Sequence, residues 1–305
     1  MAALFISMSE VNYIGRFAPS PSGPLHMGSL VAAVASYLDA RSHNGRWLMR
    51  MEDLDPPRET REAADHILTA LEECNLYWDG DVLYQSQRYA AYQEAIETLK
   101  RQELVFACDC TRQQIQEAGG VYPGTCRHRH LAAGETALRC KVATGQIIFR
   151  DRIQGEQSQH LDREVGDFVI KRKDGLYAYQ LAVVVDDAFQ DITHVVRGID
   201  LMDSTPRQIY LQRLLGLNQP AYAHIPVIVN GQGQKLSKQH MASPIDTGSK
   251  EKISYLLFSS MDYLGLAPEP ALIMESPGDI LAWGIAHWSI DNLLNQTELH
   301  EKIQP

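Results

Sequence analysis

The stretch RFAPSPSGPLHMGS, residues 16–29, holds three prolines and two glycines around one histidine, and it leads into a helical pattern. Prolines fix φ, glycines let the backbone approach a ligand closely, and the N-terminus of a following helix directs unpaired N–H groups at an anion. The stretch therefore predicts a phosphate-binding loop. An ordinary proline-rich turn is the alternative, because short motifs also occur by chance.

The segments on either side of this loop predict a strand, a helix and a second strand. Residues 11–18 favour a strand, apolar residues between 30 and 41 recur at helical spacing, and residues 47–51 form a second apolar run that ends at Glu52. This order is typical of a parallel sheet, in which ligands bind at the carboxyl ends of the strands. We therefore expect the loop and Glu52 to face one crevice, although residues 52–55 also fit a solvated acidic turn.

Composition indicates a globular protein with more than one domain. The chain has 305 residues, of which 45% are hydrophobic and 22% charged, and it contains no apolar run of the roughly 20 residues that a membrane span needs. The odd number of cysteines and the lack of a secretory signal predict a cytoplasmic protein without a membrane partner. A net charge of −10 argues weakly against a nucleic-acid partner, but basic segments at 127–130, 139–141 and 171–173 still allow a polyanion to bind.

Three of the cysteines cluster in sequence. Cys108 and Cys110 form a Cys-x-Cys pair, and Cys126 follows after a glycine-containing stretch. Zinc is held by four sulfur or nitrogen donors at a tetrahedral point, and this pattern supplies three of them. We predict a zinc site, with free thiols as the alternative.

The second half of the chain supplies a further candidate phosphate site. The apolar run 181–185 ends at Asp186 and Asp187, and a strand over 192–196 ends at Arg197, whose planar fork suits a carboxylate. Another strand over 224–229 precedes a glycine-bordered loop that contains KLSKQ, residues 235–239. Together with the first loop, its two lysines predict a phosphate clamp, whereas alone they would be a solvated basic loop.

These motifs resemble a known family. SPSGPLHMGS and KLSKQ are similar to the two nucleotide-binding motifs of class I aminoacyl-tRNA synthetases, and RFAPSPSG, RMEDLDPPR, LAVVVDD and VVRGIDL resemble the catalytic core of glutamyl-tRNA synthetases. Full-length members carry a large C-terminal anticodon-reading region, whereas this chain ends soon after KLSKQ. The shortfall points to a truncated subfamily that attaches glutamate to the queuosine base in the anticodon of tRNA(Asp).

The resemblance implies an α/β fold with a Rossmann-like parallel sheet. Its nucleotide-binding core would comprise residues 11–103 and 179–243, interrupted by a zinc-bearing α+β insertion at 104–178 and followed by a small helical C-terminal region at 244–305. We expect a monomer whose insertion lies against the anticodon arm of tRNA(Asp).

The resemblance also implies residue roles. His26 and Lys238 would be catalytic, and ATP, with Mg²⁺, would contact His26, Gly28, Ser29, Lys235, Ser237 and Lys238. Glutamate would contact Arg16, Ala18, Ser20, Glu52, Tyr179 and Arg197. Structural Zn²⁺ would be held by Cys108, Cys110, Tyr122 and Cys126, with His128 as the alternative fourth ligand.

Two residues depart from the family pattern. Val183 stands where full-length relatives commonly carry asparagine, which predicts weaker glutamate binding, and Gln239 closes the lysine loop without removing either lysine. We expect adenylate formation without tRNA. The alternatives are a truncated glutamyl-tRNA synthetase that charges a tRNA 3′ end, a non-catalytic RNA-binding paralogue, and a small nucleotidyltransferase.

Overall fold

The computed structural model describes residues 12–56, 58–131, 134, 136–230 and 243–300. Within these ranges the strands are β1 (Ile14–Phe17), β2 (Arg46–Met51), β3 (Leu83–Tyr84), β4 (Val105–Cys108), β5 (Ala137–Cys140), β6 (Ile147–Asp151), β7 (Gly155–Gln159), β8 (Phe168–Lys171), β9 (His194–Gly198), β10 (Ala221–Ile225), β11 (Val227–Val229) and β12 (Glu298–His300). The α-helices are α1 (Met27–Ser42), α2 (Arg61–Glu73), α3 (Tyr89–Arg101), α4 (Arg112–Glu117), α5 (Leu161–Glu164), α6 (Tyr179–Phe189), α7 (Thr205–Leu215), α8 (Lys250–Tyr263) and α9 (Pro277–His287).

A parallel sheet forms the centre of the molecule. β1, β2 and β3 pair in parallel, and β10 pairs in parallel with both β9 and β6. The backbone N–H of Thr193 donates to the Ile14 carbonyl at 2.9 Å, so β9 begins beside β1. The predicted α/β class with a parallel sheet is confirmed, and the carboxyl ends of β1, β2 and β9 lie at one edge.

The crossover between β1 and β2 follows from its sequence. Leu30, Val34 and Leu38 recur on α1 at helical spacing and are completely buried. Gly45 then allows the chain to turn tightly into β2, since a Cβ at this position would lie 2.5 Å from the Tyr13 carbonyl oxygen. The predicted strand, helix and strand are confirmed.

The apolar run 181–185 lies in α6, which brings Asp186 and Asp187 into the interior. Leu181, Ala182 and Val183 are at most 1% exposed, so this helix is buried on successive faces. Because no polar face interrupts the run, its sequence lacks the amphipathic period that marks a surface helix.

The predicted insertion at 104–178 contributes to two sheets. β4, β5 and β8 form an antiparallel sheet of their own. The β6–β7 hairpin lies between them in sequence, yet β6 pairs with β10 of the central sheet at Tyr222 and Asp151. Strand pairing across such a sequence separation is not encoded locally, and the domain boundaries stay a prediction.

The C-terminal region differs from the expected purely helical one. α8 and α9 are followed by β12, which pairs in parallel with β11. The predicted strand over 224–229 is correspondingly divided at Pro226, between β10 on β9 and β11 on β12. No helix in the described ranges has both the length and the apolar character needed to cross a membrane.

Candidate active site

A cavity of about 220 Å³ opens at the carboxyl ends of β1, β2 and β9, beside the N-terminus of α1. Its lining includes every described residue to which the sequence assigned ATP or glutamate. These residues are Arg16, Ala18, Ser20, His26, Gly28, Ser29, Glu52, Tyr179 and Arg197. Their assigned roles stay predictions, but residues from four separate segments of the chain do meet at one site.

Backbone hydrogen bonds on both sides hold the loop at 19–25. The Pro19 carbonyl accepts from the Glu52 N–H at 3.0 Å, and the Leu25 carbonyl accepts from the Ile245 N–H at 3.0 Å. His26 caps α1, because its Nδ1 accepts from the Ser29 N–H at 3.2 Å. His26 therefore satisfies the Ser29 N–H, whereas the N–H groups of Met27 and Gly28 point out of the helix N-terminus, an end that suits an anion.

Buried ions lie under the floor of the cavity. Asp187 Oδ1 accepts from Arg16 Nε at 3.2 Å and from Arg50 Nη1 at 2.8 Å, and Arg50 Nη2 lies 3.3 Å from Glu52 Oε1. Burial raises the pKa of Asp187, but the attractions of Arg50 and Arg16 outweigh burial and hold that pKa below its usual range. Burial raises the pKa of Glu52, and Arg50 and Arg16 offset this only in part.

Arg197 differs from the other buried guanidinium groups of the site. It is 5% exposed, and its donors meet His224 Nε2 at 3.0 Å, Thr205 Oγ1 at 2.8 Å and the Tyr179 hydroxyl at 3.4 Å. Within the described ranges no carboxylate forms an ion pair with it. A buried cation without a counterion is costly, so this group is suited to an anionic ligand.

Sequence reasoning missed several residues that support the site. Arg50 was not singled out, and the partners of Asp187 lie 137 and 171 residues away. His224 and Asp151 were also missed. The available signal was a polar residue inside a buried strand, because such a group requires a hydrogen-bonding partner.

Three predicted ATP contacts cannot be located in this structure. Lys235, Ser237 and Lys238 lie in segment 231–242, outside the described residues. The flanking residues Val227 and Ile228 line the cavity, and Pro244 forms a β-bridge with His26. Val183 is 1% exposed and is not part of the cavity lining.

A larger cleft of about 790 Å³ adjoins the cavity and shares Ser20, Glu52 and Tyr179 with it. It extends between the core and the antiparallel sheet β4–β5–β8. Its basic lining residues are Arg58, Arg112, Arg139, Arg172 and Lys173. The lining also contains the carboxylates of Glu52, Asp55, Glu59 and Asp174, and Asp55 pairs with Arg58 and Arg172, so the cleft is mixed in charge with a local basic excess.

The three predicted cysteines do converge. The sulfur atoms of Cys108, Cys110 and Cys126 all lie within 4.8 Å of one another, and no disulfide joins them. The Tyr122 hydroxyl lies 3.5 Å from Cys108 Sγ and accepts from the Cys126 N–H at 2.9 Å. His128 is exposed and outside this cluster.

This fold and site define a class I aminoacyl-tRNA synthetase catalytic domain. The sequence pattern of the family "tRNA synthetases class I (E and Q), catalytic domain" matches residues 14–269. A glutamate-tRNA synthetase from Elizabethkingia anophelis has the same fold, with a TM-score of 0.78 at 22% identity over 96% of this chain and 68% of that one. A glutamate tRNA ligase from Elizabethkingia meningosepticum, solved in complex with its amino acid, has a TM-score of 0.77 and 23% sequence identity. The match covers 94% of this chain and 67% of that one.

Closer relatives narrow this class. A glutamyl-Q tRNA(Asp) synthetase from Pseudomonas paraeruginosa is 53% identical over 95% of this chain and 98% of its own length. A glutamyl-Q tRNA(Asp) synthetase from Pseudomonas putida KT2440 is 51% identical over 97% of this chain and 98% of its own length. The chain belongs to the glutamyl-Q tRNA(Asp) synthetase family, a branch of the class I tRNA synthetases, and it is a ligase-type enzyme.

Proposed function

We propose that this enzyme activates glutamate with ATP in the absence of tRNA and transfers the glutamyl group to the queuosine base in the anticodon of tRNA(Asp). The observation that carries the proposal is Arg197, a buried guanidinium that lines the cavity without a carboxylate partner in the described part of the chain. The names of the close relatives support the same reaction.

The charges around the cavity suit a dicarboxylic amino acid. Arg197 pairs with one glutamate carboxylate through its fork, and Arg16, whose Nε faces Asp187, retains its terminal nitrogens for the other. The Glu52 carboxylate accepts hydrogen bonds from the ammonium group of glutamate. The cavity of about 220 Å³ is lined by the proposed glutamate contacts and by the proposed ATP contacts His26, Gly28 and Ser29.

ATP enters as its Mg²⁺ complex at the N-terminus of α1. His26 and the backbone near Gly28 and Ser29 bind its phosphates, and Lys235, Ser237 and Lys238 complete the site. A glutamate carboxylate oxygen attacks the α-phosphorus, and the bond to pyrophosphate breaks, giving glutamyl-adenylate. Lys238 neutralises the charge that develops on the phosphates in the transition state.

The second step uses the adjoining cleft. Its arginine-rich wall binds the RNA backbone of the anticodon arm, and the queuosine base reaches the adenylate past the shared residues Ser20, Glu52 and Tyr179. A nucleophilic group of the base attacks the glutamyl carbonyl, and AMP leaves. Charging of an ordinary tRNA 3′ end is the alternative outcome.

Structural zinc is proposed at the cysteine cluster. A tetrahedral site with Zn–S bonds of about 2.3 Å places its sulfurs about 3.8 Å apart, and Cys110 and Cys126 lie at 3.5 Å. The Tyr122 hydroxyl supplies the fourth donor. Zinc would fix the end of β4, which carries Cys108, to the turn that carries Cys126 within the insertion.

We expect one zinc ion per chain by elemental analysis of the purified protein. Cys126→Ala removes a ligand and lowers the zinc content, and Tyr122→Phe lowers it while His128→Ala does not. Cys74→Ala is the matched control, because Cys74 is buried at the end of α2, outside the cluster. Metal-free native protein would contradict the zinc proposal. If Tyr122→Phe kept its zinc and His128→Ala lost it, His128 would be the fourth ligand instead of Tyr122.

The activation step is tested by ATP–pyrophosphate exchange with each amino acid in the absence of tRNA. We expect exchange with glutamate and far less with aspartate or glutamine, because glutamine lacks the second carboxylate for the proposed arginine pair and the side chain of aspartate is one methylene shorter. No exchange without tRNA would contradict tRNA-independent activation. Equal exchange with glutamine would contradict the role of the two arginines.

A further inference from the structure

A buried row of three side chains leads from the β6–β7 hairpin to the cavity. Asp151, His224 and Arg197 are 1%, 0% and 5% exposed. Asp151 Oδ2 lies 2.6 Å from His224 Nδ1, and Arg197 Nε donates to His224 Nε2 at 3.0 Å. The row therefore connects a carboxylate that lies outside the cavity to the guanidinium that lines it.

The geometry fixes where the histidine proton resides. Arginine Nε can only donate, so His224 Nε2 presents its lone pair and the ring proton is on Nδ1, where it is donated to Asp151. Thr205 Oγ1 lies 3.1 Å from the same Nε2 and accepts from Arg197 Nη2, so its hydroxyl proton can be donated to Nε2 in this arrangement. Burial lowers the pKa of His224; Asp151 opposes this effect, and the nearby Arg197 adds to it. A neutral ring of defined tautomer is the state that suits all three groups.

Asp151 is itself held in place. Its Oδ1 accepts from the N–H groups of Ile153 and Gln154, each at 2.9 Å, and from the His224 N–H at 3.2 Å. Burial raises the pKa of Asp151, but its hydrogen bonds with His224 and with the N–H groups of Gln154 and Ile153 outweigh burial and keep the pKa low. The carboxylate is thus a fixed acceptor between the hairpin turn and β10.

We propose that Asp151 and His224 are positioning residues that orient Arg197 for glutamate. His224 accepts from Arg197 Nε and Thr205 accepts from Arg197 Nη2 at 2.8 Å, so hydrogen bonds hold two of the three guanidinium nitrogens in place. The third, Nη1, lies on the side of Tyr179, which also lines the cavity. The inference rests on the proposed role of Arg197 as a glutamate ligand.

Asp151→Asn tests this role with little change in shape. The amide oxygen can replace Oδ1 and keep the three backbone hydrogen bonds, whereas the amide nitrogen replaces Oδ2 and donates to His224 Nδ1. The ring proton must then move to Nε2, where it opposes the Arg197 Nε–H and competes with Arg197 Nη2 for Thr205 Oγ1. We expect the KM for glutamate in ATP–pyrophosphate exchange to rise by about 10- to 100-fold, with the KM for ATP changed less than about twofold.

The matched control is Asp39→Asn. Asp39 is also a fully buried carboxylate, and it accepts from Arg152 Nη2 at 3.1 Å and from Trp288 Nε1 at 2.9 Å, away from the cavity lining. This variant loses thermal stability but keeps the wild-type KM for glutamate. If both variants lost stability equally and neither changed this KM, Asp151 would be a structural residue only and the proposal would be wrong.

A direct readout is the tautomer of His224 in ¹⁵N-histidine-labelled protein, assigned by comparison with His224→Gln. We expect a protonated Nδ1 and an unprotonated Nε2 in the wild type, and the reverse in Asp151→Asn. A wild-type proton on Nε2 would overturn the proposal. Wild-type protein that fails to activate glutamate would overturn the proposed function, and the tautomer would still decide whether His224 accepts from Arg197.

Discussion

Replacing Arg197 with methionine lowers the affinity for glutamate by about 100-fold or more, since the substrate carboxylate loses a buried, fork-shaped partner. The ligand-free protein keeps its melting temperature within a few degrees. The substitution removes the desolvation cost of a buried cation that has no carboxylate partner in the described residues. This gain in stability offsets the loss of the hydrogen bonds to Thr205 and His224. The measurements are the KM for glutamate in ATP–pyrophosphate exchange and the melting temperature with and without glutamate.

Arg207→Met is the matched control for this variant. Arg207 is a half-buried arginine on α7 that donates to the Asp203 carbonyl at 3.1 Å and does not line the cavity. Its replacement leaves the glutamate KM unchanged. We expect glutamate to raise the melting temperature of the wild type but not of Arg197→Met; an equal rise in both proteins would refute the assignment of Arg197 to the substrate.

Asp187→Asn has the largest expected effect on stability. The carboxylate lies between Arg16 and Arg50 at 4% side-chain exposure, so an amide leaves two buried cations undercompensated. Breaking such a pair costs about 3–5 kcal/mol, which lowers the melting temperature by roughly 10 °C. Glu97→Gln, which removes only the exposed ion pair with Lys100, leaves the melting temperature unchanged.

The same site predicts a pH dependence of stability. The folded-state pKa of Asp187 is below its unfolded value of about 3.9. Its ionised carboxylate therefore contributes fully to folding stability above about pH 3.9, and this contribution is lost as the pH falls through the folded-state pKa. The Asp187→Asn protein therefore shows a flatter acid limb in a plot of melting temperature against pH. Asp39 and Asp151, whose pKa values are also lowered, preserve part of the slope. An unchanged acid limb would show that Asp187 does not carry this charge in the folded protein.

The sequence predicted the elements whose information is local. The loop at 16–29, the crossover through α1 and the convergence of Cys108, Cys110 and Cys126 all follow from residue spacing and from the order of strands and helices. The sequence predicted that Glu52 and Arg197 face one crevice because each stands at the end of an apolar run, where a parallel sheet places ligand-binding residues. Both line the cavity, and their roles stay predictions.

The features that were not predicted depend on pairing across the chain. β12 joins β11, and β6 joins β10, through backbone hydrogen bonds that any residue can make, so their sequences carry no mark of the partner. The Asp187 pairs likewise join residues from distant segments. Apolar or charged character indicates that such a residue needs a partner, but only the packed fold determines which one.

The most direct test of the central claim is the destination of labelled glutamate on RNA. The enzyme is incubated in separate reactions with ATP, [¹⁴C]glutamate and one of three RNAs: intact tRNA(Asp), or its isolated anticodon arm with either queuosine or guanosine at the same position. We expect label on the queuosine-containing arm and none on the guanosine-containing arm. Label confined to the 3′-terminal nucleoside of intact tRNA, with neither arm labelled, would contradict it.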